Sequence, residues 1–304
     1  MKIINLESRT TSSQPIAVAL GYFDGLHLGH QAVILKAVHY ARTRGIKCAV
    51  LTFSTNPKVF LKKTTDRTLL TPLSEKLRLL EGMGVDQLLV LPFNKEMMKL
   101  APEEFVEMFL KRQSVRFIST GFDFRFGRCG AGDAGLLQKQ KELFEVSVTP
   151  RLDFDEMKIG TTQIRSYLAR GMVQKAQQML GRPYTLTGTV ITGNQRGRTI
   201  GFPTANIGLD EPFTIPKKGV YAVRVQVKGK SYPGMCNIGH NPTFNYSDAV
   251  SVEVNILDFD QDIYGEKIRI DFIRYIRTEQ KFFSVDELIA QLEDDRCKVR
   301  ELTH

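Results

Sequence analysis

The segment that most constrains this chain is a glycine-rich turn, Gly21-Tyr-Phe-Asp-Gly-Leu-His-Leu-Gly-His30. The apolar run 15–20 before it predicts a buried strand, and the pattern 31–44 after it predicts a helix. A helix N-terminus carries unpaired N–H donors and partial positive charge, so the turn predicts a phosphate site. His27 and His30 suit a triphosphate whose charge shifts during reaction. The repeated glycines disfavour the alternative of a plain turn with surface histidines.

Composition narrows the class of protein. The 304 residues suit two domains, and no apolar run of about 18 residues predicts a membrane-spanning helix. No hydrophobic signal segment opens the chain and the 4 cysteines are scattered, so we expect a cytoplasmic protein without a zinc knuckle or disulfide framework. The net charge of +9 suits nucleic acid or small polyanions. Because the basic residues are spread along the chain, we favour small-molecule partners and no nucleic acid. We also expect no membrane partner and a monomer or weak homo-oligomer.

In the first half, short apolar runs alternate with helical patterns, which predicts a parallel sheet with helices on both faces. The runs are continuously apolar, as strands buried on both faces require. The predicted strands are Ile16–Leu20, Lys47–Phe53, Gln87–Leu91, Arg116–Thr120 and Glu145–Val148. The predicted helices are Gln31–Arg44, Pro72–Glu81 with Thr71 as N-cap, Pro102–Arg112 and Asp133–Phe144.

In the second half of the chain, the spacing of the apolar residues changes. Two short helical patterns, Thr161–Ala169 and Met172–Leu180, lead to a linker at 181–184. Consecutive β-rich runs then follow without helices between them, which predicts an antiparallel barrel or sandwich. These runs are Leu186–Ile191, Val220–Val227, Ser231–Ile238, Val250–Leu257 and Lys267–Ile276. A closing helix begins at a capping box formed by Ser284 and Glu287.

A second unusual loop follows the fourth predicted strand, and a parallel sheet brings it to the edge that carries the first loop. In this loop, 121–127, Phe122, Phe124 and Phe126 alternate with Asp123 and Arg125. A single strand would place the three rings on one face. The pattern fits an ordinary amphipathic edge strand or an aromatic wall for a planar ring, and the residues leave both open.

Two further patterns combine chemistry with a plain alternative. Thr161, Thr162 and Arg165 open a helix, either as ordinary capping hydroxyls or as a clamp on a leaving pyrophosphate. Glu253 lies in a strand pattern, either facing solvent or accepting a proton from a substrate hydroxyl.

The segment 193–206 is either a glycine- and arginine-rich hairpin turn or a second phosphate cradle. Glycines allow the backbone to approach phosphate and arginines add charge. Thr204 and Asn206 offer hard oxygens that suit Mg²⁺. The residues that carry this pattern are Gly193, Arg196, Gly197, Arg198, Thr204 and Asn206.

The whole chain resembles the prokaryotic bifunctional riboflavin kinase/FAD synthetase family, in a collinear match from Gly21 to Phe282. Its motifs are Gly-x-Phe-Asp-Gly-x-His-x-Gly-His (21–30), Gly-x-Asp-Phe-Arg-Phe-Gly (121–127), Leu-Gly-Arg-Pro-Tyr (180–184), Arg-Gly-Arg-x-x-Gly-Phe-Pro-Thr-Ala-Asn (196–206), Gly-Val-Tyr-Ala-Val (219–223), Leu-Asp-Phe-Asp (257–260) and Arg-x-Glu-Gln-Lys-Phe (277–282). Several are long and rarely met elsewhere, so the resemblance is specific.

The resemblance implies an α/β plus β architecture. A Rossmann-like parallel-sheet nucleotidyltransferase domain over 1–183 would transfer AMP from ATP to FMN, releasing pyrophosphate and FAD. A small antiparallel six-stranded β-barrel with a C-terminal helix, over 184–304, would phosphorylate riboflavin to FMN with Mg²⁺ and ATP. The alternatives are an FAD synthetase with an inactive kinase domain, a flavin-responsive binding protein that touches RNA, and a cytidylyltransferase.

The resemblance also implies roles for single residues. In the first domain His27, His30 and Arg165 would be catalytic, on the phosphates of ATP. Further contacts to nucleotide or flavin would come from Gly21, Phe23, Asp24, Gly29, Asn56, Asp123, Phe124, Thr161 and Thr162.

In the second domain Glu253 would be the general base, and Thr204 and Asn206 would hold Mg·ATP. Arg277 and Glu279 would belong to a flap over the flavin. Further contacts would come from Gly193, Arg196, Gly197 and Arg198. The chain departs from the family pattern at 54–57, Gly160 and His240, without losing a core residue of either site.

Overall fold

The computed structural model describes residues 1–6, 11–61, 64–193, 196–240 and 250–303, with the side chains of Lys58, Arg196 and His240 outside the description. The chain divides into two compact units, Met1–Thr161 and Thr162–His304. Among the described residues, no helix combines the length and apolar character needed to cross a membrane.

The first unit is built on a six-stranded parallel sheet of order β1-β4-β3-β2-β5-β8. The strands of this unit are β1 Lys2–Asn5, β2 Ile16–Leu20, β3 Lys47–Phe53, β4 Gln87–Leu91, β5 Val115–Gly121, β6 Arg125–Phe126, β7 Gly132–Asp133, β8 Glu145–Thr149, β9 Asp153–Phe154 and β10 Met157–Lys158. Its helices are α1 Leu28–Arg44, α2 Pro57–Phe60, α3 Leu73–Gly82, α4 Pro102–Phe105, which continues as a π-helical stretch Val106–Lys111, and α5 Ala134–Gln138.

The parallel sheet confirms the prediction from continuous apolar runs. All residues of β2 are buried, and alternate ones belong to different cores. Ala17 and Ala19 pack under α1, whereas Val18 and Leu20 pack in the core on the opposite face. β2 and β5 are neighbours, and their ends meet at the register pair Leu20 and Thr120. The sheet order reverses here, and such a switch point is where open α/β sheets bind ligands.

Several predicted helix bounds were wrong. α1 begins at Leu28, earlier than predicted, because His27 caps it. Pro72, not Thr71, is the N-cap of α3, because the Pro72 carbonyl accepts the first intrahelical hydrogen bond, from the Lys76 N–H at 2.8 Å. α5 ends at Gln138, and turns occupy the rest of the predicted helix.

The second unit contains a closed antiparallel barrel of order β11-β12-β15-β14-β13-β16, as the resemblance implied. Its strands are β11 Tyr184–Ile191, β12 Ala205–Gly208, β13 Gly219–Val227, β14 Lys230–His240, β15 Val250–Ile256 and β16 Lys267–Arg277. Its helices are α6 Thr161–Ala169, which begins at the division between the units, α7 Val173–Leu180, α8 Arg196–Thr199 and α9 Val285–Thr303.

The C-terminal helix α9 covers part of the outer surface of the barrel. Its Val299 packs with Ala222 and Met235 in one buried cluster. The side chain of Ser284 caps the helix by accepting the Glu287 N–H at 3.1 Å, as predicted. The Glu287 carboxylate reaches the N–H of Phe283 rather than that of Ser284, so the capping box is shifted by one residue.

Candidate functional site

The loop between β2 and α1 closes on the first turn of the helix. His27 Nδ1 accepts the backbone N–H of His30 at 3.3 Å. Because Nδ1 is the acceptor, the ring proton of neutral His27 lies on Nε2. The two imidazoles stack with their centroids 3.6 Å apart and their planes 19° apart. The N-terminus of α1 therefore places two imidazoles beside the N–H groups of its first turn. We call this N-terminus, with His27 and His30, the mouth of α1.

His30 has the environment of a neutral imidazole. Its Nδ1 is buried and, within the part of the chain that the structure describes, has no hydrogen-bond partner. Burial lowers the pKa of His30 well below 6.5, and the positive charges of His27, Lys76 and Lys158 lower it further. Phe23 meets the ring edge-on, with centroids 5.2 Å apart. A bound polyanion would oppose these effects and favour the protonated ring.

Close packing explains a glycine at the start of this loop. A Cβ on Gly21 would lie 2.7 Å from the Phe23 ring, closer than van der Waals contact allows. A Cβ on Gly29 would lie 3.2 Å from the His27 ring, a tight contact. Phe23 itself has a φ of 54°, a left-handed conformation that is strained for a bulky residue. The ring of Phe23 therefore fills the space that the glycine leaves.

Asp24 links the loop between β2 and α1 to the segment before α3. Its side chain is buried, and Oδ1 accepts the backbone N–H groups of Leu70 at 2.9 Å and Thr71 at 3.1 Å. Its carbonyl accepts the Thr161 hydroxyl at 3.3 Å. The expected ligand contact from Asp24 remains a prediction, and the structure uses one of its carboxylate oxygens to hold the segment before α3.

The loop after β5 differs from the predicted single strand. The Phe124 N–H donates to the Gly121 carbonyl, which closes a turn and ends the strand. Phe126 is buried with Phe124 packed against it, whereas Phe122 is 46% exposed. The prediction of three rings on one face was therefore wrong. The turn leaves Asp123 beside this edge of the sheet.

Asp123 forms an ion pair with Lys158 of β10. The same ammonium lies 4.8 Å from the centroid of the Phe122 ring. The short β9–β10 hairpin is thereby joined to the loop after β5. The positive charge of Lys158 is also one of the causes that lower the pKa of His30 at the N-terminus of α1.

The remaining residues predicted for the first site lie at two places. Asn56 follows β3, is half-buried, and its carbonyl accepts the N–H groups that begin α2. Thr161 ends the first unit, while Thr162 and Arg165 belong to α6 of the second. Thr162 is exposed and Arg165 half-buried.

On the barrel, polar side chains form a row across three strands. Register pairs link Asn206 of β12 to Glu253 of β15, and Glu253 to Asn237 of β14. Paired residues on neighbouring antiparallel strands point to the same face. Asn255, on the same face, donates to the Pro203 carbonyl at 2.7 Å. The row thus lies at the start of β12, next to Thr204.

Gly193 packs directly against this row, and Gly197 packs beside Phe202 and Thr204. A Cβ on Gly193 would collide with the Asn206 amide, and one on Gly197 would collide with the Phe202 carbonyl. The Thr204 hydroxyl lies 3.5 Å from the same position on Gly197. Gly197 belongs to the short helix α8, Arg196–Thr199, in a segment for which the sequence left a hairpin turn and a phosphate cradle open. The predicted contact from Arg196 concerns a side chain outside the described part of the protein.

A cavity of about 360 Å³ opens beside Thr204. Its lining includes Arg198, Pro203 and the loop 259–264 after β15. The lining is mainly apolar with a few polar groups, which is typical of a small-molecule site.

Glu253 has a raised pKa, first because of burial and then because of the Glu279 carboxylate. The Glu279 carboxylate occupies the volume that a side chain on Gly239 would need, with the Asn237 amide beside it. The structure therefore brings Glu253 and Glu279 close together on the barrel, and their roles as base and flap residue remain predictions.

Arg277 is held by the helix α9. Its guanidinium donates to Asp295, which is fully buried, at 2.7 to 3.1 Å. It also lies 5.9 Å from the Phe282 ring centroid. This arrangement fits a residue that positions the flap segment, and a direct flavin contact from Arg277 remains a prediction.

Family comparisons match the two halves of the chain separately. A riboflavin kinase family model matches residues 180–303, and an FAD synthetase family model matches residues 9–163. The bifunctional riboflavin kinase/FMN adenylyltransferase of Listeria monocytogenes is 44% identical over 93% of this chain and 91% of its own length. The chain belongs to this bifunctional family. Its Bacillus subtilis and Escherichia coli members are 40% and 38% identical, over 92% and 93% of this chain and 90% and 91% of their own lengths.

A solved structure also has the same fold as this chain. The crystal structure titled macrolide-efflux protein from Streptococcus pneumoniae is 34% identical. It superposes with a TM-score of 0.91 over 99% of both chains. The strand orders described above are therefore found in an experimentally solved relative.

A magnesium nucleotide fits the donor set of the barrel site. Thr204 and Asn206 supply neutral oxygens, and among the described residues no group of three or more His, Cys, Asp or Glu could hold a metal. Mg²⁺ keeps several waters and is commonly bound through substrate phosphates with few protein ligands. The residues present therefore fit Mg²⁺ carried by ATP.

Three features of the sites escaped the sequence analysis. Asn237 completes the row beside Glu253, and the loop 259–264 lines the cavity. Lys76 is buried near the mouth of α1. Only the loop carried a signal, since Leu-Asp-Phe-Asp at 257–260 was among the family motifs.

Proposed function

We propose that this chain phosphorylates riboflavin to FMN and then adenylylates FMN to FAD, using one ATP in each step. Each compact unit contains residues suited to phosphate, and these two groups are the observation that carries the proposal. They are the stacked His27 and His30 at the N-terminus of α1, and Gly193, Gly197, Thr204 and Asn206 in the second unit. We propose one catalytic domain over residues 1–183 and another over residues 184–304. The family matches at 9–163 and 180–303 support two separate catalytic domains. FMN is the product of the kinase reaction and the substrate of adenylylation. The adenylylation site therefore depends on the kinase site when riboflavin is the only flavin supplied.

In adenylyl transfer, a phosphate oxygen of FMN attacks the α-phosphorus of ATP. The bond from that phosphorus to the bridging oxygen breaks, and pyrophosphate leaves with the electron pair. His27 and His30 bind the phosphates at the mouth of α1, and Arg165 neutralises the leaving group. Contacts from Gly21, Phe23, Asp24, Gly29, Asn56, Thr161 and Thr162 hold the nucleotide. Asp123 and Phe124 contact the flavin.

In phosphoryl transfer, the 5′-hydroxyl of riboflavin attacks the γ-phosphorus of ATP and ADP leaves. Glu253 accepts the hydroxyl proton, and its raised pKa suits a base that must capture a proton. Gly193, Arg196, Gly197 and Arg198 cradle the phosphates, while Arg277 and Glu279 order the flap over the flavin. Thr204 and Asn206 hold Mg²⁺, which would neutralise the charge on the phosphates.

An FAD synthetase with an inactive kinase domain is less well supported. Asn206 and Glu253 form a register pair on neighbouring strands. Thr204, two residues before Asn206, lines the cavity, so the residues that a kinase would need are all present on the barrel. We propose a cytoplasmic enzyme whose partners are its small-molecule substrates, without nucleic acid, acting as a monomer or weak homo-oligomer.

Product analysis tests the proposed function. The purified protein is incubated with riboflavin, ATP and Mg²⁺, and flavins are separated by chromatography over time. We expect FMN to rise first and FAD to follow with release of pyrophosphate. FAD formation from added FMN, without any FMN from riboflavin, would instead establish the single-activity alternative.

A further inference from the structure

Lys76 is a buried lysine outside every motif discussed in the sequence analysis. It lies near the start of α3 and is 6% exposed. Lysine is rarely buried without a carboxylate partner, because removing an ammonium from water is costly. Among the described residues, the Lys76 ammonium makes no ion pair, and Asp24 acts on it only at longer range. Its burial therefore needs an explanation.

The ammonium of Lys76 is attached to the loop at the mouth of α1. Nζ donates to the Tyr22 carbonyl at 3.2 Å and lies 5.1 Å from the centroid of the Tyr22 ring. The Thr52 hydroxyl donates to the same carbonyl at 2.9 Å, so this carbonyl has a second partner. An ammonium has three N–H donors, and the bond to Tyr22 uses one. Lys76 thus retains capacity to bind an anion.

The position of Lys76 relative to His30 indicates which anion. Its charge acts on His30, whose own Nδ1 is buried without a partner among the described residues. Several cationic or protonatable groups thus converge around one helix N-terminus: His27, His30, Lys76 and Lys158. Such convergence is unfavourable in an empty site and favourable around a polyphosphate.

We propose that Lys76 is a further phosphate-binding residue of the adenylyl-transfer site, with its ammonium held beside the helix mouth by the Tyr22 carbonyl. The inference rests on the proposed adenylylation of FMN and adds a residue to that site. When the bond between the α-phosphorus and the bridging oxygen breaks, negative charge grows on pyrophosphate. Lys76 stabilises that charge together with the imidazoles.

The free protein should show this role as a pH dependence. Burial lowers the pKa of Lys76 to about 8, while the carboxylate of Asp24 opposes the shift. The groups that face Lys76 are Asp24 and Tyr22 of the loop and His30 of α1. Phosphate groups of both substrates are already ionised at this pH, because their last pKa is about 6. kcat/KM for ATP in adenylylation should therefore fall as pH rises through about 8.

The test compares K76M and K76R with wild type in FMN adenylylation. We expect K76M to raise KM for ATP about ten- to hundredfold, as the loss of one charged donor does. K76R keeps its charge at all working pH values, so it should retain more activity and lose the decline above pH 8. K36M is the matched control, since Lys36 also donates to a backbone carbonyl, that of Val148 at 3.5 Å. Riboflavin phosphorylation by the same chains is the internal control.

Either of two results in the activity and stability measurements would overturn the proposal. One is K76M with the ATP KM and pH profile of wild type. The other is equal loss of activity in K76M and K76R together with equally lowered thermal midpoints, which would make Lys76 a structural residue. Calorimetric titration with MgATP keeps the inference separate from the proposed function. Even if wild type made no FAD, K76M should weaken one of two MgATP sites, and unchanged binding at both would contradict the proposal.

Discussion

The Nδ1 atom of His27 accepts the backbone N–H of His30, while the two imidazole rings stack 3.6 Å apart. One side chain therefore both caps α1 and belongs to the proposed phosphate site. Because the cap occupies Nδ1, this nitrogen of His27 cannot also bind a ligand. The fold and the chemistry of this site depend on the same residue.

Replacing His27 separates these two contributions. H27A should lower the free energy of unfolding by about 0.5–2 kcal/mol, the usual cost of a lost N-cap, and should also impair adenylylation. H27N restores a capping acceptor without an imidazole, so it should recover the stability but not the activity. Denaturant unfolding and FMN adenylylation assays measure the two effects. Equal activity in H27N and wild type would contradict a phosphate-binding role for the ring.

The depressed pKa of His30 predicts that acid destabilises the first unit. The unfolded chain takes up this proton near pH 6.5, whereas the folded protein takes it up only at lower pH. Between these values the unfolded state binds more protons, so stability is complete above about pH 6.5 and is lost as pH falls through the folded pKa. H30Q should flatten this part of the curve. Urea titrations between pH 8 and pH 5, for both proteins, would reveal an identical slope if the account were wrong.

Gly197 tests the packing of the second phosphate cradle. A methyl group there would push against the Phe202 carbonyl, next to the Thr204 hydroxyl. G197A should therefore raise KM for ATP in riboflavin phosphorylation about tenfold or more and leave adenylylation unchanged. Gly82 offers a matched control, because a Cβ on it meets no atom within 4 Å. Similar kinase kinetics in G197A and G82A would show that the close approach has no functional importance.

The sequence predicted the buried strands because burial on both faces of a parallel sheet leaves a continuous apolar run, as in β2. It missed β1, because this strand is short, lies at the sheet edge and is mostly exposed. It also misread the phenylalanines after β5, since alternation cannot show that the Phe124 N–H closes a turn on Gly121. Local pattern predicts which face a residue takes only while the strand continues.

The candidate sites were predicted where their residues are adjacent in sequence, as at 21–30 and 193–206. Lys76 was missed because a lysine within a helical pattern is usually a solvent-exposed residue. Its burial depends on the Tyr22 carbonyl, far away in sequence and brought near by the fold. Asn237 was missed for the same reason, since only the β14–β15 register places it beside Glu253.

We propose that two independent nucleotide sites in one chain carry out consecutive reactions. Chromatography of flavins made by H30Q and E253Q tests it most directly, with each variant given riboflavin or FMN, plus ATP and Mg²⁺. We predict that H30Q accumulates FMN without FAD, and that E253Q makes FAD from FMN but nothing from riboflavin. Loss of both reactions in either variant, with its fold preserved, would contradict the claim.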